Sequence, residues 1–301
     1  MKVATTIVFA ALIAVGCSKS EPRANHGGSE VEIGGADYAF QVPASLPAGR
    51  TAFRFNNKGK VRHELNIALL KPGVQVERVL ETRRAGKPVQ ALIEGPVGVL
   101  FADAGERSSG TISTDLVAGR EYAVICIFRD SAGAKAHFDM GMYSVIQVGT
   151  ALAKTVPAPP PTDTIIGTDY AFQYRRTLAP GRHSFVFRND GKMTHQVTIA
   201  QLAEGVTLEK VLAVEKAGGN VDSLFDGDFG LLQVRGGGTP LGALDVDMKP
   251  GRVYVIACFV KDDPKSPEHV ALGMYGEIRV SGGRQQSGRR SPDKPPPAGS
   301  G

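Results

Sequence analysis

Two kinds of hydrophobic pattern recur along the chain, and both predict β-strands. Residues 51–57 (TAFRFNN) and 183–189 (HSFVFRN) alternate apolar and polar side chains, as strands with one buried face do. Residues 120–128 (REYAVICIF) and 252–260 (RVYVIACFV) are more continuously apolar, as strands buried on both faces are. The frequent glycines (37) and prolines (19) favour turns between such strands. The chain is therefore predicted to be mainly β.

Helical spacing appears once in each half of the chain. Residues 74–86 and 206–219 place apolar side chains three and four positions apart, and both stretches end on glycine. The pattern predicts one short amphipathic helix in each half.

The two halves are copies of one another. Residues 35–70 superimpose without a gap on residues 167–202, and the same offset continues to the last predicted strands at 142–148 and 274–280. Each copy has about 115 residues, an ordinary domain size. Several strands, Gly/Pro turns and one short helix predict an all-β fold of two tandem antiparallel Greek-key β-sandwiches, one for each copy.

The segments outside the copies set the predicted domain boundaries. The first domain is predicted to cover residues 30–149 and the second 164–280, with the Pro-rich residues 150–163 as a semi-rigid linker. Residues 18–29 are predicted to be a flexible tether. Residues 281–301, rich in glycine, serine and proline, are predicted to be a disordered basic tail.

Positive charge is concentrated in that tail. Its four basic residues and one acidic residue give a net +3, out of +5 for the whole chain. No basic patch with interleaved aromatic residues is present, so nucleic acid is not an expected partner.

The N-terminus has the pattern of an export signal. Lys2 precedes an apolar stretch from Val3 to Val15 that is too short to span a bilayer comfortably. The stretch Ala14–Cys17 resembles a bacterial lipobox, in which small residues precede a cysteine that becomes lipidated, although the usual leucine is missing from its first position. Residues 1–17 are therefore predicted to be a lipoprotein signal peptide, with a signal peptide cleaved nearby as the alternative. Lipidated Cys17 would anchor the protein to a membrane of the bacterial cell envelope, facing the periplasm or the exterior.

Four residues of types that bind soft metals stand at identical spacing in each copy. They are His63, Cys126, His137 and Met142, and then His195, Cys258, His269 and Met274. Each lies at the predicted end of a strand or in the loop that joins two strands, and the loops of a sandwich gather at its two poles. Two imidazoles, a thiolate and a weak axial thioether form the blue-copper arrangement, whereas structural zinc sites use cysteine and histidine without methionine. The pattern predicts two copper ions, one in each copy.

On these residues the sequence resembles the cupredoxin family of blue copper domains. The resemblance rests on the Gly-Lys-x-x-His stretches that end at His63 and His195, together with the cysteine, histidine and methionine that follow in each copy. It implies an eight-stranded sandwich and a mononuclear copper site in each of two tandem domains. In two respects the chain departs from the small electron carriers of the family. Its cysteine-to-histidine loop is longer, and Glu64 or Gln196 follows the first histidine.

The expected function is one-electron transfer by an exported, lipid-anchored copper protein. The chain has no His-x-His pair of the kind that multicopper oxidases use, and no convergent acid/base pair or nucleophile motif, so it is not expected to be an enzyme. Its redox or copper-exchange partner is unknown. Two alternatives remain open: copper binding or delivery without redox turnover, and a metal-free cupredoxin-like interaction module.

An alternative also remains for the cysteines. In an exported protein two cysteines usually form a disulfide. A bond between Cys126 and Cys258 would require their Cα atoms to lie within about 7 Å of one another.

Overall fold

A computed structural model of the protein describes residues 29–131, 133–152 and 161–282. The predicted signal peptide with Cys17, the tether up to residue 28, the middle of the predicted linker and the tail from residue 283 lie outside these residues. Among the described residues, no helix is long and apolar enough to cross a membrane.

Strands make up most of both copies. Those of the first copy are β1 (Ser29–Ala36), β2 (Ala39–Gln41), β3 (Ser45–Asn57), β4 (His63–Leu70), β5 (Ile93–Ala102), β6 (Thr111–Leu116), β7 (Glu121–Ile125) and β8 (Tyr143–Leu152). Those of the second copy are β9 (Asp163–Thr168), β10 (Ala171–Gln173), β11 (Thr177–Leu178), β12 (Gly181–Asn189), β13 (His195–Leu202), β14 (Phe225–Val234), β15 (Gly242–Met248), β16 (Val253–Ala257) and β17 (Tyr275–Val280). The helices are α1 (Val76–Arg84) and α2 (Leu208–Lys216). β8 and β9 thus extend into both ends of the predicted linker.

The predicted strands and helix show the side-chain burial that their hydrophobic patterns indicate. In β3, Phe53 and Phe55 are wholly buried while Arg54 between them is partly exposed, which is the burial of a strand with one buried face. β7 and β16 are buried along nearly their whole length, as continuous apolar strands are. The amphipathic helix α1 buries Val79 and Leu80 against the outer face of the sheet.

The strands form two sheets that pack around a shared core. In the first sheet the order is β2-β1-β3-β6-β15-β12-β9-β10. In the second sheet the order is β3-β8-β7-β4-β5-β14-β13-β16-β17-β11, where β3 takes part through its first residues. Phe53 and Phe55 from the first sheet and Leu65 and Ile67 from the second lie in the same buried cluster. The sheets are mixed rather than purely antiparallel, because β1 and the start of β3 find parallel partners.

The two copies are joined edge to edge. β5 of the first copy pairs with β14 of the second, and β6 pairs with β15, so each sheet continues from one copy into the other. The sequence pattern predicts two successive domains on a linker. The sequence pattern does not predict this pairing, because the edge of a strand carries no hydrophobic pattern of its own.

A local two-fold axis relates the copies at this join. Val99 lies opposite Leu231 and Ile112 lies opposite Leu244, and both pairs are separated by the same offset that places residue 35 on residue 167. Equivalent residues therefore face each other across an antiparallel contact. The two copies consequently point in opposite directions along their strands.

Candidate metal centres

Each candidate site lies where three strand ends meet at one pole of its copy. His63 is the first residue of β4, Cys126 follows β7, and His137 begins a short 3-10 helix that leads to Met142 and β8. The Cys126 N–H donates to the carbonyl of Met142, and the Met142 N–H donates to the carbonyl of His137. The second copy repeats these backbone bonds at Cys258, Met274 and His269. The loop between cysteine and methionine is thus folded back on itself in both copies.

The structure brings two imidazoles and a thiol together in each copy. In the first copy Nδ1 of His63 lies 2.8 Å from Nδ1 of His137, and Sγ of Cys126 lies 3.9 and 3.5 Å from these two nitrogens. In the second copy the distance between the His195 and His269 nitrogens is 3.0 Å, and Sγ of Cys258 lies 3.9 and 3.4 Å from them. One ion with bonds of about 2.0–2.3 Å to nitrogen and sulfur can reach all three atoms of such a triangle.

All eight predicted ligands are wholly buried. The methyl ends of Met142 and Met274 pack beside Gly35 and Gly167, where a Cβ atom would approach them to 3.2 and 3.4 Å. Both methionines are therefore buried in the core next to the site, and their backbone is hydrogen-bonded to both the cysteine and the second histidine.

Cys126 and Cys258 are both free thiols, each in the site of its own copy. The structure therefore gives no support to the disulfide alternative. Burial raises the pKa of Cys126 to about 12 and raises the pKa of Cys258 as well, because a buried thiolate loses its hydration. Without an ion both groups are protonated near neutral pH, so an ion must displace a proton to bind sulfur.

The first histidine of copy one is kept neutral, and the second histidine of each copy is oriented by a carboxylate. Burial, followed by the neighbouring His137, lowers the pKa of His63 to about 4. Nε2 of His137 lies 3.1 Å from a carboxylate oxygen of Asp130, and Nε2 of His269 lies 3.0 Å from Asp262. A carboxylate at Nε2 holds the proton there and leaves Nδ1 free to bind a metal.

The first histidine is held differently in the two copies. Nε2 of His195 lies 3.5 Å from Asp169, whereas Nε2 of His63 is buried without a hydrogen-bond partner among the described residues. The two triangles are nearly the same, but their surroundings are not.

A tyrosine covers the histidine pair in each copy. The rings of Tyr38 and Tyr170 lie edge-on to both imidazoles of their copy, and their hydroxyls donate to Asp130 and Asp262. Both tyrosines have positive φ values (73° and 66°), a region that non-glycine residues rarely adopt. Such strain persists where the surroundings impose it, which is often at functional sites.

An asparagine that the sequence analysis missed shapes the loop before the first histidine. The wholly buried Asn57 side chain donates to the carbonyls of Val61 and Ala102 and accepts from the Gly59 N–H. Asn189 makes the equivalent bonds in the second copy. Because both asparagines fall at the same place in the repeat, the constant offset between the copies was a signal that could have identified them.

Glu64 and Gln196 act on the site mainly through their backbone. Their N–H groups donate to the cysteine sulfurs at 3.4 and 3.3 Å, which stabilises negative charge on sulfur. The Glu64 side chain accepts from the Ile127 N–H, and burial raises its pKa to about 7.

The two sites are well separated in the joined pair of copies. His63 lies opposite Ala102, three residues beyond Val99, and His195 lies opposite Val234, three residues beyond Leu231. Strand geometry then separates the sites by about 20 Å along the strands and about 14 Å across them, or about 25 Å in all.

Comparisons with known proteins find similarity only among solved structures. No protein-family model matches the chain. No curated protein matches it either. Reduced auracyanin from Roseiflexus castenholzii is 19% identical over 42% of this chain and 99% of that chain, with a TM-score of 0.29. Auracyanin B is 22% identical over 42% and 92%, with a TM-score of 0.30. Copper nitrite reductase from Nitrosomonas europaea is 13% identical over 85% and 94%, with a TM-score of 0.25.

Proposed function

We propose that this chain is an exported copper protein whose two cupredoxin-like Greek-key copies each hold one ion and pass single electrons. The observation that carries the proposal is the pair of matching, wholly buried triangles of two imidazole nitrogens and one cysteine sulfur. Each triangle adjoins a buried methionine at the same spacing.

The donor set fits copper better than zinc. Thiolate and thioether suit Cu(I), and imidazole accepts Cu(II), so one set of ligands tolerates both oxidation states. Structural zinc sites are closed by a fourth cysteine or histidine, and neither triangle has one within reach among the described residues. Bound copper would supply the one-electron couple itself.

The chain's contribution to electron transfer is a site that needs little rearrangement. Buried imidazoles held by Asp130 and Asp262, and a cysteine-to-methionine loop fixed by its own backbone bonds, keep the donor atoms in place. A site whose geometry is fixed before the electron arrives suits both oxidation states. The proposed function includes no enzymatic reaction and requires a redox partner.

Copper titration followed by voltammetry tests the proposed function. We expect two ions to bind per chain, with affinity rising by about tenfold per pH unit near neutrality, because one thiol proton is displaced at each site. We also expect a reversible one-electron wave from each site. Two bound ions without reversible electron exchange would favour copper delivery, and absence of copper binding would favour a metal-free interaction module.

The lipid anchor is a separate proposal. The lipobox-like residues Ala14–Cys17 support lipidation of Cys17 and tethering of the protein to a membrane of the cell envelope. Stable anchoring requires more than one acyl chain, as in a fully processed lipoprotein.

Replacing Cys17 by alanine is expected to move the protein from the membrane fraction to the soluble fraction. Fractionation with mass analysis of the mature N-terminus measures this. A Cys17→Ala protein that sediments with membranes as firmly as the unaltered chain would show that the anchor lies elsewhere.

A further inference from the structure

A cavity of about 600 Å³ opens at the join between the two copies. Helix α1 forms one wall, and the loop before β13 together with the turn after β14 forms the other. Val99 and Leu231, which pair across the join, contribute apolar surface. The volume lies within the usual range for small-molecule sites, about 300–1,000 Å³.

Positive charge dominates the walls of this cavity. Arg83, Lys192 and Arg235 line it together with one carboxylate, Glu94, which is engaged by Arg120 at 2.7 Å. Among the described residues, none of the three cations has an ion-pair partner or a hydrogen bond from its charged group. The cavity walls therefore carry more positive than negative charge, and within the described part of the chain none of the three cations is held in an ion pair.

Arg83 is the most enclosed of these cations. It is half-buried, and burial lowers its pKa. Glu64 attracts it from a greater distance, but the Glu64 carboxylate is already bonded to the Ile127 N–H. Polar groups withdrawn from water without partners are costly unless a ligand satisfies them.

The two-fold axis supplies an internal comparison. On the opposite side of the join, Arg62 donates to Asp103 at 2.9 Å and to Asp228 at 2.7 Å. Arg62 also lies over the ring of Phe101. There an arginine of the chain fills the crevice and is neutralised by carboxylates of both copies.

On the cavity side of the join, a different residue stands at the position equivalent to each member of that ion-pair cluster. At the offset that relates the two copies, Arg62 corresponds to Thr194, Asp103 to Arg235, and Asp228 to Pro96. The filling arginine is lost, and neither carboxylate has a counterpart. The Arg62 side chain fills the crevice on one side of the axis, and no equivalent arginine fills the cavity on the other side. The charge on the walls of the cavity is mainly positive.

We propose that this cavity is a binding site for a small organic anion, with a carboxylate or phosphate head at Arg83 and an apolar body along the strands. Arginine presents a planar fork of donors that fits both kinds of head group. The chain's own C-terminal tail is a poor occupant, because its net charge of +3 has the same sign as the cavity. Anion binding at this site does not require copper, so this proposal and the proposed function are tested separately.

Titration with the fluorescent anion anilinonaphthalene sulfonate tests the proposal. The full chain carrying Cys17→Ser is used, so that no acyl chain competes, and it has no tryptophan to interfere. We expect saturable binding of one probe per chain, with a dissociation constant on the order of 10 µM for a ligand of this size. Arg83→Met should weaken binding by about tenfold to a hundredfold, because it removes charged hydrogen bonds.

The matched control is Arg78→Met, because Arg78 lies on the same helix but is exposed and paired with Glu81. It should leave probe binding unchanged while circular dichroism shows both variants folded. Octanoate or octyl phosphate should displace the probe, and whichever does so at lower concentration identifies the head group. Octylammonium should not displace it. Absence of saturable binding, equal binding by Arg83→Met, or displacement by octylammonium would each overturn the proposal.

Discussion

Replacing Cys126 by serine is expected to remove about half of the visible absorbance of the copper-loaded protein, because thiolate-to-copper charge transfer supplies the colour. Replacing Cys258 by serine should have a similar effect, and the double replacement should abolish the colour. The two sites are expected to contribute about equally, because their triangles have similar dimensions. The imidazole nitrogens lie 2.8 and 3.0 Å apart in the two copies, and the sulfur lies 3.5 and 3.4 Å from the second histidine.

Serine is close to cysteine in shape, and its oxygen can still accept from the Glu64 or Gln196 N–H, so the fold should survive. Absorbance spectra of copper-loaded variants, with circular dichroism to verify folding, measure the effect. Cys17→Ser, the same substitution at the third cysteine of the chain, is the matched control and should leave the colour unchanged. A coloured double variant would mean that neither thiol is a copper ligand.

Replacing Gly230 by alanine is expected to destabilise the join between the copies strongly. Gly230 has φ of +122°, and a Cβ atom there would lie 2.4 Å from the carbonyl oxygen of Val99 in the other copy. The backbone strain costs about 1–3 kcal/mol. Forcing the strands apart adds a further penalty of about 1–3 kcal/mol. Urea unfolding, followed by circular dichroism, measures the sum as a lower midpoint.

A control variant separates the cost of backbone strain from the cost of forcing the strands apart. Gly181 has φ of +117°, but a Cβ atom there would meet nothing within 4 Å. Gly181→Ala should therefore lose only the part due to backbone strain. If both variants lost the same free energy of unfolding, the close approach of residue 230 to Val99 would add nothing to the cost of backbone strain.

Much of the local structure could be predicted because it depends on local pattern. The alternation at residues 51–57 identified a half-buried strand, and the helical spacing at 74–86 identified α1, although its ends fall at Val76 and Arg84. The start of β3 at Ser45 was not predicted. Residues 45–48 are held there by pairing with β8, which lies far away along the chain and leaves no mark on the local sequence.

The candidate site was predictable to a similar extent. The spacing of His63, Cys126 and His137 was enough to predict their convergence, because strand ends of a sandwich meet at a pole. Asp130 and Tyr38 were not singled out, since an aspartate and a tyrosine in loops are ordinary residues until the fold places them beside an imidazole. The cavity at the join could not be predicted at all, because its walls come from different copies.

The edge-to-edge join also bears on how a tandem protein of this kind holds together. A contact in which equivalent residues face each other is the isologous contact that two separate identical chains make in a symmetric dimer. Connecting the two partners in one chain makes their encounter intramolecular, so the pairing no longer depends on protein concentration.

Two copies joined in one chain can also carry different residues at equivalent positions, whereas a symmetric homodimer has the same residue at both. Arg62 bonds Asp228 on one side of the axis, while Thr194 and Pro96 occupy the same two positions on the other side. No homodimer could carry both versions at once. One chain with two unequal halves can therefore keep an ion pair that stabilises the join and, on the opposite side, an open space for a ligand.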